Sequence, residues 1–328
     1  MRHLLILGVL AVLGIYILVN FRVDGLDGLS FIRRDTDSSA SDDNVSVKRS
    51  GKTVRIASFH INVLGSGKLD KTHVSDLIAR LIRRFDIVAI QGIRSRDDDV
   101  LPRLVEATNA TGANFDFVVG PRLPISSRDS SPGKTFQEQY AFIFDRASVE
   151  VDRTQLYTID DPDDLIRREP LIAWFRVRGP PEDQAFTFSL VNLHLDGNFL
   201  PEEMDALRGV FKAVQGDGRD EDDVILLGDF EASERDFGSL RDLPGVDWVI
   251  AGTPTDIMAS QQRSNVVFSK LATVEYEGRG GVLDFLREFN LSEGEAREIS
   301  DHMPVWAEFS IFEGGKPGQV AAQPESRR

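Results

Sequence analysis

The stretch Val224-Ile225-Leu226-Leu227-Gly228-Asp229-Phe230-Glu231 decides how this chain is read. Four consecutive apolar residues predict a strand buried on both faces. Gly228 is expected to break that strand and to leave Asp229 at its end. A carboxylate at the mouth of a buried strand can orient a water or meet a cation. The plainer reading is a turn aspartate after a core strand, because Asp and Gly are ordinary turn residues. Two further stretches bear on the choice. Ile299-Ser300-Asp301-His302-Met303-Pro304-Val305-Trp306 places an acid beside an imidazole just before another strand. Such a pair can supply a metal or water contact and a phosphate contact from one turn. Val191-Asn192-Leu193-His194-Leu195-Asp196 reads as a strand with His194 on the face opposite Leu193 and Leu195.

The chain has 328 residues, a net charge of −15 and 41% hydrophobic residues. It can bury a large core, while its acidity argues against a broad basic surface for duplex nucleic acid. With no cysteine there is no disulfide framework, thiolate metal site or cysteine nucleophile. Residues 4–19 form an uncharged apolar run, preceded by Arg2. As a helix this run would span roughly 24 Å, slightly short of a bilayer core of about 30 Å. It reads as a membrane anchor or a signal segment over residues 1–22, with no clear cleavage site. The globular part is expected on the extracytoplasmic side. Residues 23–52, with a polar Ser/Asp-rich run, read as a flexible linker. Residues 53–313 read as one folded domain and 314–328 as a disordered tail.

Within the domain, strands are predicted at 54–61, 86–91, 115–119, 140–144, 172–177 and 186–195. Helices are predicted at 71–85, 99–110 and 201–214 from their apolar spacing. Long strands, few helices and candidate polar residues at strand ends predict an α+β fold with two packed sheets flanked by helices.

The segments RIASFHINV (55–63), FDIVAIQGIR (85–94), QYAFIF (139–144), VNLHLD (191–196), VILLGDFEAS (224–233), SNVVFS (264–269) and ISDHMPVW (299–306) together resemble the endonuclease/exonuclease/phosphatase superfamily, with the deoxyribonuclease I-like fold. The resemblance implies a four-layer α/β sandwich of mostly antiparallel sheets. It also implies Mg²⁺-dependent (or Mn²⁺-dependent) hydrolysis of a phosphoester, nucleic acid being one candidate substrate. By that resemblance His194, Asp229, His302 and Tyr140 are candidate catalytic residues and Asp301 a candidate metal ligand; Glu231, which departs from the family pattern, is a candidate metal ligand of a rebuilt site. His60, Arg94 and Asn265 are candidate phosphate contacts.

Several positions depart from the family pattern. Gly92 stands where the family has a metal-binding Glu, and His60 where it has Asn. Glu231 replaces an Asn that contacts phosphate, and Ser264 replaces an Asp that orients the histidine matching His302. Gly92 supplies no oxygen, so weak Mg²⁺ binding is expected. Ser264 can hydrogen-bond His302 but cannot stabilise an imidazolium. Restoring Glu at 92, Asn at 231 and Asp at 264 together is expected to raise activity. Two functions remain open: a membrane-tethered phosphoesterase with a weakened or rebuilt site, and a non-catalytic binding or scaffold module.

Overall fold

The computed structural model describes residues 52–125 and 136–316. Two seven-stranded sheets pack face to face. The first runs, in spatial order, β13 (Tyr276–Val282), β14 (Val305–Ser310), β1 (Thr53–Leu64), β2 (Ile87–Ile93), β5 (Phe136–Asp145) and β3 (Phe115–Val119), with β4 (Leu123–Ile125) paired to β5. The second runs β11 (Val246–Trp248), β12 (Ser264–Ser269), β10 (Val224–Asp229), β9 (Thr187–His194), β8 (Leu171–Val177) and β6 (Val149–Val151), with β7 (Tyr157–Thr158) paired to β8. Most neighbours are antiparallel. β1 with β2, and β9 with β10, are parallel.

A parallel pair needs a crossover, and helices provide it. Between β1 and β2 lie α1 (Ser66–Leu69) and α2 (Thr72–Ile82). α3 (Val100–Asn109) follows β2, and α4 (Leu200–Gln215) links β9 to β10. Val74, Ile78, Leu81 and Ile82 of α2 are buried at helical spacing. With Leu101 and Leu104 of α3 they cover Phe59, Ile61, Val88 and Ile90 on the outer face of the first sheet. On α4, Met204, Leu207, Val210, Phe211 and Val214 cover Val191, Leu193 and Leu226 of the second sheet. Between the sheets lies a third core that includes Ile56, Phe142, Phe175, Phe188, Leu227, Phe268 and Phe309. The result is the four-layer α/β sandwich implied by the family resemblance. α5 (Phe285–Glu288) and α6 (Glu293–Ile299) complete the first sheet's outer layer.

Gly228 does not break its strand. It pairs with Leu193 on one side and Asn265 on the other, and the strand continues through Asp229. The glycine is required by close approach, since a Cβ there would lie 1.9 Å from the Leu193 carbonyl oxygen. A buried amide pair bridges the apolar layer between the sheets. Gln91 donates from Nε2 to Oδ1 of Asn192 at 2.6 Å, and Asn192 donates from Nδ2 to the carbonyls of Ile90 and Ala141. Both side chains are fully buried, so this pairing fixes how the sheets face each other.

Among the described residues no helix is long and apolar enough to cross a membrane. The expected anchor at 1–22 and most of the expected linker and tail lie outside the described residues.

At the opposite end of β10 from Asp229 is a carboxylate cluster. Asp223, Glu275 and Glu313 each bring an oxygen within 4.8 Å of the others. Burial, then Glu313, pushes the Glu275 carboxyl up to about 7. Burial, then Glu221, pushes Glu313 up to about 7. Groups that hold their protons more tightly when folded stabilise the fold below their unfolded values, near 4.5, and that stability is lost as pH rises towards 7. The double variant Glu275→Gln/Glu313→Gln is therefore expected to melt close to the parent at pH 5 and above it at pH 8. Thermal unfolding at both values checks this. A difference that does not grow with pH would contradict it.

Candidate active site

The site forms at the carboxyl ends of the two parallel pairs, where they meet across the sandwich. Its centre is Asp229 at the end of β10, with no exposed surface. Strand register sets His194 of β9 on one side of Asp229 and Ser264 of β12 on the other. His60, from β1 of the other sheet, brings Nδ1 to 2.5 Å from Asp229 Oδ2. His302, in the turn between α6 and β14, places Nδ1 3.5 Å from the same oxygen. His194 Nε2 lies 3.9 Å away. The His60 ring sits 4.3 Å from that of His194 and 4.5 Å from that of His302, centroid to centroid.

Burial alone would raise the Asp229 carboxyl, yet the surrounding imidazoles of His302, His60 and His194 outweigh it and hold the group well below its usual range. His60 is lowered to about 4, first by burial and then by His194, so it is neutral at neutral pH.

His194 is held from both sides. Its Nδ1 lies 2.7 Å from Oε1 of Glu138 on β5. Burial opposes the ionisation of Glu138, but His194, His60 and Arg168 outweigh it and keep the carboxylate charged. Arg94 donates to Glu138 Oε2 from Nε and Nη2 at 3.2 and 3.1 Å, so Arg94 acts here as a clamp on that carboxylate. Arg168 donates from Nε to the His194 carbonyl at 3.0 Å and from Nη2 to the Leu195 carbonyl at 2.8 Å. Neither Glu138 nor Arg168 was singled out from the sequence. Glu138 was legible in one respect: it shares a strand face with Tyr140, two residues on. Arg168 lies in an irregular segment before β8 and carried no periodic signal.

The other candidates fall around this centre. Glu231 shares a metal-ligand-sized cluster with His194 and Asp229, all within 4.8 Å. Its carboxyl is raised by burial and by Asp229, and Arg263 Nη1 approaches it at 3.4 Å. Glu231 adopts φ +50°, a left-handed conformation that Asn tolerates better than Glu. Asp301 is half exposed at the rim, with Oδ1 4.0 Å from His302 Nε2. Tyr140 is buried, and its hydroxyl donates inward to the His194 carbonyl at 3.3 Å. Asn265 is buried too; it donates to the Ile250 carbonyl and accepts from the Ile250 N–H. Both of these side chains hold backbone rather than face the cleft. The Ser264 hydroxyl has no hydrogen-bond partner among the described residues, so it does not orient His302.

Gly92 and His60 form one unit. A Cβ on Gly92 would lie 2.8 Å from His60 Cδ2, 3.0 Å from His60 Nε2 and 2.5 Å from the Ile61 carbonyl oxygen. The imidazole occupies the space where a side chain at 92 would begin. Gly92 also has φ +82°, and the pairing of β1 with β2 shifts register between His60 and Leu64. A Glu at 92 would therefore meet the His60 ring and the Ile61 carbonyl, and both would have to move to admit it. The donors that remain do not fit Mg²⁺, which asks for oxygen ligands in near-octahedral geometry. The centre presents three imidazoles around Asp229, with Glu231 as a second carboxylate beside Asp229 and His194.

Gly92→Ala is expected to destabilise the protein by about 2–4 kcal/mol, combining the left-handed backbone cost with the overpacking cost. Urea unfolding should show a lower midpoint with an unchanged slope. A midpoint equal to the parent's would mean that the backbone at Ile61 yields freely.

Residues 59–302 match the Endonuclease/Exonuclease/phosphatase family. Deoxyribonuclease-1-like 1 of Bos taurus is 30% identical over 271 residues, covering 79% of this chain and 82% of that protein. Deoxyribonuclease gamma of Rattus norvegicus is 28% identical over 271 residues, covering 77% and 83%. Among solved structures, the human Nocturnin catalytic domain with bound sulfate superposes with a TM-score of 0.52 at 15% identity, over 80% of this chain and 95% of that one. At that identity the likeness speaks for the fold alone. Fold, family match and relatives agree, and this chain belongs to the endonuclease/exonuclease/phosphatase family.

Proposed function

We propose that this protein hydrolyses a phosphodiester, with His194 as the general base and a nucleic-acid strand as the substrate class. The observation that carries this is the Glu138–His194–Asp229 constellation. A buried carboxylate fixes one ring nitrogen of His194 and leaves the other 3.9 Å from Asp229, its neighbour on the adjacent strand. A base held in one tautomer by a carboxylate is the arrangement that activates a hydroxyl or water nucleophile. In this reading His194 Nε2 takes the proton of the attacking water, and Asp229 holds that water in line. His302, on the far side of Asp229, contacts the phosphate or protonates the leaving oxygen. The nucleic-acid substrate class is supported by the relatives named as deoxyribonucleases. The net charge of −15 works against it over the surface as a whole.

A second reading, a non-catalytic binding module, is favoured by one observation. His302 has no orienting carboxylate at position 264, and the Ser264 hydroxyl does not replace it. The two readings separate in one assay. The full-length chain is incubated with plasmid DNA and with a small aryl phosphodiester, across a panel of divalent ions. His194→Ala is expected to lower kcat by about 10²–10⁴-fold. A parent rate no higher than that of His194→Ala on every substrate would leave the binding module standing.

The proposal includes a tether. The uncharged run at 4–19 would hold the domain at a membrane, on the extracytoplasmic side. This part rests on sequence alone. Full-length chain is expected in the pellet after an alkaline carbonate wash. Its recovery in the soluble fraction would remove the tether from the proposal.

A further inference from the structure

The nitrogen atoms at the centre of the cleft point to a ligand class. His60 Nδ1 lies 2.5 Å from Asp229 Oδ2 and is the His60 nitrogen that could share an ion with that carboxylate, because Nε2 points to the opposite side of the ring. His302 Nδ1 is buried without a hydrogen-bond partner among the described residues and lies 3.5 Å from the same Asp229 oxygen, outside a well-formed hydrogen bond. A buried imidazole nitrogen without a partner is costly unless something satisfies it. His60, Asp229 and His302 each offer a ligand atom, all within 4.8 Å of one another.

We infer that His60, His302 and Asp229 form a site for a first-row transition-metal ion of the imidazole-binding kind, with Zn²⁺ as its representative, in place of a Mg²⁺ site. The inference names the metal of the cleft described above and rests on that cleft being the functional site.

Three arguments converge. First, imidazole suits zinc, copper, iron and nickel, whereas carboxylate and water suit magnesium. Second, His60 and Gly92 are sterically linked, because the His60 ring fills the space a side chain at 92 would need. The loss of an oxygen donor at 92 and the gain of a nitrogen donor at 60 are thus one rearrangement, a donor exchange rather than a decayed site. Third, two histidines and one carboxylate leave a coordination position open, which is the pattern of catalytic rather than structural zinc. Glu138 lies behind His194, and Arg94 and Arg168 lie behind Glu138 and the His194 backbone, so the wall of the cleft is held rigid without using the nitrogens of His60 and His302 that face Asp229.

The test measures metal binding without substrate. Full-length protein is stripped with a chelator, and Zn²⁺ and Mg²⁺ binding are measured by equilibrium dialysis. Zn²⁺ is expected to bind at least about 100-fold more tightly than Mg²⁺. His60→Gln and His302→Gln are each expected to weaken Zn²⁺ by at least about 100-fold. The variant His73→Ala, at a surface histidine paired with Glu298, is expected to bind as the parent does. Because a histidine variant can fail to fold, Co²⁺ is also added to the unmodified protein. Visible d–d bands of nitrogen-ligated, low-coordinate Co²⁺ are expected, and they should be lost on adding Zn²⁺. Mg²⁺ binding as tight as Zn²⁺, a Co²⁺ spectrum of the hexa-aqua type, or undiminished Zn²⁺ binding in folded His60→Gln would each overturn the inference. Hydrolysis is scored separately. Tight Zn²⁺ binding without hydrolysis removes the proposed function and leaves the metal site. Hydrolysis supported by Mg²⁺ without Zn²⁺ binding does the reverse.

Discussion

A carboxylate with no exposed surface must be compensated, and the compensation of Asp229 organises this molecule. Its partners come from both sheets: His60 from one, His194 from the other, and His302 from the turn that leads back into the first. His194 is set beside Asp229 by the pairing of adjacent strands, whereas His60 and His302 cannot reach it unless the sheets are packed in one particular offset. The requirement to pair a buried charge is therefore also a constraint on sheet packing. Removing any one imidazole would leave the carboxylate with less to offset its desolvation.

The buried Gln91–Asn192 bridge serves the same end. The apolar layer around it is made of phenylalanines and aliphatic residues whose contacts are non-directional, so they favour contact without choosing a register. The amide pair is directional, and it lies one residue from Gly92 and two from His194. Directional polar contacts near the site and non-directional packing away from it divide the work. The core supplies stability, and the bridge supplies alignment.

The departures from the family pattern divide into two kinds. At positions 60 and 92 the two residues are linked in space, since the His60 ring occupies the volume where a side chain at 92 would begin. At position 264 nothing compensates. The serine hydroxyl is buried without a partner among the described residues, and the carboxylates near the His302 ring are Asp229 at 3.5 Å and Asp301 at 4.0 Å. A single tally of lost residues would treat these alike. Geometry separates a rebuilt feature from a missing one.

Apolar periodicity made the layers legible. The helices at 72–82, 100–109 and 200–215 and the central strands follow from spacing that any reader of the sequence can count. The GDF and SDH segments likewise marked Asp229 and His302 as strand-end residues, because an acid or imidazole after an apolar run stands out locally. Gly228 was misread as a strand breaker, since sequence cannot tell a glycine that ends a strand from one that lets a neighbouring backbone approach. Glu138 and Arg168 were missed for a related reason: their partners lie 56 and 26 residues away, at His194, and only packing brings them there. The exchange between His60 and Gly92 was out of reach altogether. The two are 32 positions apart in the chain, and only the parallel pairing of β1 with β2 sets them side by side. The sequence by itself determined which segments are buried and which polar groups end them. Which of those groups share a space was decided by tertiary structure, because strand pairing and sheet packing set distances between residues that the chain order leaves free.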